Sequence, residues 1–148
     1  MWNKLILITL IAALHSSLQA QVFLGQSQVE LSNYLKTQGS RVSSIQTTKA
    51  SMQFQLKQED ERNRLFDTTY YLTFQNNKCV VEVKKVERDD YWLSSLVDLI
   101  QVKKGKPQQE QILNYDGVPL FSTYLFSEFR LDLRQENEYL WIRFTSQT

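Results

Sequence analysis

From Ser27 onward the apolar positions recur first at helical spacing and then at strand spacing. Leu31, Tyr34 and Leu35 fall at i, i+3 and i+4, one face of a helix. Ser27-Gln28-Val29-Glu30 places a capping box ahead of them, and Gly39 supplies a stop. Met52, Phe54 and Leu56 then alternate with polar residues through Ser51–Lys57, the pattern of a half-buried strand. Arg41–Thr48 reads as a weaker strand, with Val42 and Ile45 its only large apolar residues. The charged stretch Gln58–Asn63 reads as a solvated turn.

Three hairpins follow from turn residues. Asn76-Asn77 suits a two-residue turn, because Asn tolerates the positive φ that such turns require. A regular ladder from that turn sets Phe74 opposite Cys79, Leu72 opposite Val81 and Tyr70 opposite Val83 on the apolar face. It puts Thr73 with Val80, Tyr71 with Glu82 and Thr69 with Lys84 on the polar face. Asp116-Gly117 marks a second turn, between Glu110–Tyr115 and Val118–Tyr124, after a Lys-Pro-Gln loop. Pro119 cannot donate to a ladder, so this pair is expected to include a sheet edge. A turn at Glu136-Asn137 pairs Phe129 with Phe144, Leu131 with Ile142 and Leu133 with Leu140. Its other face then carries Arg130 with Arg143, Asp132 with Trp141, and Arg134 with Tyr139.

Between the two strand-rich halves, Asp90–Lys103 has the pattern of a second helix. Asp89 or Asp90 caps it, Gly105 ends it, and Trp92, Leu93, Leu96, Val97, Leu99 and Ile100 form its apolar stripe. Its polar side offers Ser94, Ser95, Asp98 and Gln101, without the abundant Lys and Arg of a membrane-surface helix. The expected fold is α+β in two layers: an antiparallel sheet with two helices packed on one face, in the order α-ββββ-α-ββββ. Phe74, Cys79, Phe129, Leu131, Ile142 and Phe144 are expected to share one core with Leu35, Leu96 and Ile100.

Residues 1–20 change the setting of this domain. Lys4, the run Leu5–Leu14 (apolar apart from Thr9) and the polar tail ending in Ala20 follow the order of a secretory signal peptide. The run is about half the ~20 residues of a bilayer-spanning helix. Cleavage after Ala20 is therefore expected, leaving residues 21–148 as a single α+β domain that is secreted or periplasmic, with no stable membrane insertion. Leu18 stands where a small residue is usual before the cut.

The single histidine, His15, lies in that leader, so the processed chain has no imidazole for a triad, a Cys–His pair or a His-based metal site. Charge is balanced, 17 basic residues against 16 acidic, which gives no footprint for nucleic acid. Cys79 is the lone cysteine, expected to be buried and inert, so packing must hold the fold without a disulfide. Glu82, Glu87, Glu128 and Asp132 read as solvent-facing strand residues with no catalytic pair among them. No cofactor or metal motif is present.

The surface with content is the outer face of the last hairpin, where Tyr139 and Trp141 are interleaved with Arg130, Arg134, Arg143 and Asp132. Trp, Tyr and Arg dominate protein interfaces, and aromatic planes flanked by polar groups also suit sugar rings. The same residues can instead cover the sheet by stacking on one another. The expectation is an exported, non-enzymatic binding module for a protein or glycan partner. The alternatives are a carboxylate-dependent hydrolase acting on a glycan and a structural component of a cell-envelope assembly.

Overall fold

The structure, a computed structural model, describes residues 23–59, 63–87, 106–112 and 119–147. Helix α1, Gln28–Gln38, begins where the capping box places it. The Ser27 hydroxyl accepts the Glu30 amide, and the Glu30 carboxylate accepts the Ser27 amide at 2.7 Å. Gly39, at φ +56, closes the helix as expected. Leu31 and Leu35 are its buried residues.

Eight strands follow: β1 Val42–Thr47, β2 Ser51–Glu59, β3 Leu65–Gln75, β4 Lys78–Glu87, β5 Lys106–Ile112, β6 Pro119–Leu125, β7 Phe129–Glu136 and β8 Tyr139–Ser146. They form one antiparallel sheet in the order β1-β2-β3-β4-β8-β7-β6-β5. Each half is a meander, and the halves meet where β4 pairs with β8. Among the described residues the architecture is therefore mostly sheet with one α-helix. The expected second helix, Asp90–Lys103, and the leader up to Ala20 lie outside the described residues, as does the Asp116-Gly117 turn.

Two expected loops are partly strand. β2 continues through Gln58 and Glu59, which pair with Phe66 and Leu65. Gln58 is kept in the ladder by its own chemistry, because its amide oxygen accepts the hydroxyls of Thr68 at 2.8 Å and Tyr70 at 3.3 Å. β5 begins at Lys106 and includes Pro107, which a ladder tolerates because β5 is an edge strand. The opposite edge, β1, is interrupted between Ser43 and Gln46, with Ser44 at φ +55. Such irregularity blunts an edge against pairing with another chain.

The hairpin registers also differ from a plain ladder. Asn76 and Asn77 do form the first turn, both at positive φ, and Phe74 does face Cys79. One step further the register shifts: Thr73 pairs with Val81, Leu72 with Glu82, Tyr71 with Val83 and Tyr70 with Lys84. Val80 is the extra residue of a bulge, which turns every later side chain of β4 over. In the last hairpin the turn is one residue later, with Glu136 opposite Tyr139. The pairs are displaced by two, so that Leu131 meets Phe144, Leu133 meets Ile142 and Asp132 meets Arg143. A displacement of two keeps each side chain on its expected face; a displacement of one does not.

The buried side of the sheet carries two apolar clusters. The first joins Leu31 and Leu35 of α1 to Met52, Phe54, Leu56, Tyr70, Leu72, Phe74 and Cys79. The second joins Val86, Phe126, Phe129, Leu131, Leu133, Leu140, Ile142 and Phe144. The single core expected is thus two, with Leu24 packed against both; Leu96 and Ile100 lie outside the described residues.

Candidate functional site

Two groups of side chains stand out, one on each side of β4. On the inner side the Val80 bulge buries Glu82 completely and leaves Lys84 only 7% exposed. A carboxylate expected to face solvent is therefore in the core. Its Oε1 lies 3.2 Å from the Lys84 ammonium, and its Oε2 accepts the Phe23 amide at 3.2 Å. The Lys84 ammonium also sits 5.6 Å from the Tyr70 ring centre and 5.4 Å from that of Phe144, between the two clusters. Burial pushes the Glu82 carboxyl above its usual range, against the pull of Lys84 and of the Phe23 and Leu24 amides. Burial, reinforced by the Glu82 charge, raises the Tyr70 phenol and pushes the Cys79 thiol up to about 12. Cys79 is a core residue, with its thiol directed at the Val81 carbonyl.

Glu82 has a structural task. The segment Phe23–Gln26 crosses the end of β4 beyond the last pairing to β8. The Gly25 amide donates to the Cys79 carbonyl, and the Cys79 amide to the Gln26 carbonyl, each at 2.8 Å. Gly25, at φ +83, makes the bend that this path needs. The Phe23 ring packs edge-on against Tyr34, Phe54 and Tyr70 at 5.2–5.8 Å. Glu82 thus ties the segment leading into α1 to the centre of the sheet.

On the outer side the same bulge turns Val81, Val83 and Lys85, all half-buried, outward beside β8. Trp141 pairs with both Lys85 and Arg134, and Arg143 with both Val83 and Asp132. Tyr139, Trp141, Arg143, Arg130, Arg134 and Asp132 all lie on this one face. Tyr139 and Trp141 are half-buried, while Arg130, Arg134 and Arg143 are exposed. Arg130 Nε donates to Asp132 Oδ1 at 3.0 Å, and the buried Thr123 hydroxyl donates to the same oxygen at 2.7 Å. Arg134 is 3.3 Å from Glu136.

Tyr71 and Lys85 belong to this face too, although the plain ladder gives Tyr71 a charged neighbour and no aromatic one. The Tyr71 and Trp141 rings lie 5.9 Å apart, within 25° of parallel, reaching toward each other across β4. The Lys85 ammonium sits 4.1 Å from the Tyr139 ring centre and 5.2 Å from that of Trp141. A sequence signal for this was present. In Cys79–Val86 no single alternation separates apolar from charged residues, which is what a bulge within a strand produces.

Chemically, the inner group is a closed ion pair under two apolar clusters, and the outer group is an open array of rings, guanidinium groups and one held carboxylate. Among the described residues no three His, Cys, Asp or Glu side chains gather as metal ligands, and no helix is long and apolar enough to cross a membrane. Comparison of the chain with protein-family models, with curated proteins and with solved structures yields no match.

Proposed function

We propose that the protein is an exported, non-enzymatic binding module whose partner docks on the outer face of β7, β8, β4 and β3. The observation that carries this reading is the gathering of Tyr71, Tyr139 and Trp141 with Lys85, Arg143 and Asp132 on one exposed side of the central strands. Large rings with adjoining Arg groups bring much contact area at few rotatable bonds, the composition of binding hot spots. A catalytic role is disfavoured because the one fully buried carboxylate among the described residues, Glu82, is engaged by Lys84 and the Phe23 amide. Export is supported by the order of charge and apolarity in residues 1–20.

The test is capture of partners from the envelope fraction of the source organism by the full chain and by Trp141→Ala. The variant is expected to lose more than about 1 kcal/mol of binding, as hot-spot truncations do. Unchanged capture of every partner contradicts the binding face. N-terminal sequencing of the exported protein is expected to begin at Gln21, whereas retained Met1 contradicts export.

A further inference from the structure

We propose that the ligand of this outer face is a neutral glycan, an inference that rests on the binding role above and names its substrate class. Two rings lie on this face. Tyr71 and Trp141 lie within 25° of parallel and 5.9 Å apart over β4, with the half-buried Val83 on the strand between them. They gather two half-buried ring systems on one sheet face, and an aromatic ring is the apolar partner that the C–H face of a pyranose takes.

A polar pair lies beside those rings. Asp132 is held in one orientation by the Thr123 hydroxyl and by Arg130 Nε, both on Oδ1, and its side chain is 14% exposed. Arg143, in register with it on β8, is exposed. A fixed acceptor next to a planar donor suits neighbouring sugar hydroxyls, each of which both donates and accepts.

Charge decides the class of glycan. Arg130 is matched by Asp132 and Arg134 by Glu136, and the Lys85 ammonium lies against Tyr139 and Trp141. Glu87 stands opposite Tyr139 on the same face. Asp132, Glu136 and Glu87 thus stand against Arg130, Arg134, Arg143 and Lys85, and a face so nearly balanced in charge offers little to a polyanion, whose binding draws on counterion release by uncompensated Lys and Arg. A neutral ligand forfeits nothing here.

Titration calorimetry of the full chain with cellohexaose, maltohexaose, mannohexaose and hexagalacturonate tests the assignment. At least one neutral hexasaccharide is expected to bind, with affinity unchanged within about twofold between low and high salt because no net charge is neutralised. Trp141→Ala is expected to weaken it about tenfold or more. Arg143→Ala, at an exposed side chain, and Asp132→Asn, which keeps an acceptor for the Thr123 hydroxyl, are expected to weaken it as well. Binding of hexagalacturonate alone, falling steeply with salt, overturns the assignment. So does a protein captured through Trp141 when no neutral hexasaccharide binds, although the binding role then survives. Loss of neither sugar nor protein binding in Trp141→Ala overturns both.

Discussion

Strands β4 and β8 lie side by side at the centre of the sheet and obey opposite rules. β8 sends Leu140, Ile142 and Phe144 inward and Tyr139, Trp141 and Arg143 outward, the ordinary alternation of a sheet with one face buried. β4 sends Glu82 and Lys84 inward and Val81 and Val83 outward. Each inner charge of β4 sits in register with an apolar residue of β8, Glu82 with Phe144 and Lys84 with Ile142. The difference teaches that one inserted residue, Val80, reverses a strand when the inward charges find partners. Glu82 finds Lys84 and the Phe23 amide, and Val83, turned outward, stands between Tyr71 and Arg143.

The sharpest way to break the comparison is to remove one charge. Glu82→Ala removes the carboxylate 3.2 Å from the nearly buried Lys84 ammonium and is expected to cost about 3–5 kcal/mol in chemical unfolding. Replacing both, as Glu82→Leu with Lys84→Met, is expected to recover most of that loss, because an apolar pair of similar volume avoids the desolvation of two ions. A cost of a few tenths of a kcal/mol for Glu82→Ala places the carboxylate in solvent. Phe144→Ala on β8 is expected to cost about 3–5 kcal/mol by a different route, a cavity in a fully buried cluster. No second substitution nearby is expected to restore it as simply.

Smaller effects sharpen the contrast. Ser27→Ala removes the cap of α1, to which the Glu82-tied segment leads, and is expected to cost about 1 kcal/mol. Val83→Thr, on the outward side of β4, is expected to change stability by about 0.5 kcal/mol or less. Cys79 supplies a further check on the inner face. Its thiol ionises near 9.0 when unfolded and at about 12 when folded, so this group favours the folded state below pH 9 and loses that preference as pH rises toward 12. A thiol reagent at pH 8 is expected to leave folded Cys79 unlabelled and to react once the chain is unfolded. Rapid labelling of the folded protein contradicts its burial.

Much of the fold was legible in local pattern. The Ser27–Glu30 capping box, the Gly39 stop, the Asn76-Asn77 turn and the alternation in Met52–Leu56 are short-range signals, and each forms as read. The faces of β7 and β8 were legible too, because a register displaced by two leaves them unchanged. The bulge left only a trace, the opposite parities of Cys79 and Val86, which does not say which residue is the extra one or which way the strand turns. What settles its orientation is distant in sequence: the Phe23 amide lies 59 residues before Glu82. The six outer-face residues were legible as a group, and so was the outward side of Tyr71, whereas Lys85 joins them only through the reversal of β4, and the meeting of Tyr71 with Trp141 needs the long-range pairing of β4 with β8.

That reversal is the claim on which both the buried pair and the outer face depend. Its most direct measurement is the labelling rate of two single-cysteine chains in a Cys79→Ala background, Val83→Cys and Lys84→Cys, each compared with its own unfolded chain. The account predicts labelling at position 83 in the folded protein and strong protection at position 84, because Val83 faces outward and Lys84 is nearly buried. Protection at 83 with labelling at 84 puts Val83 in the core and contradicts the account.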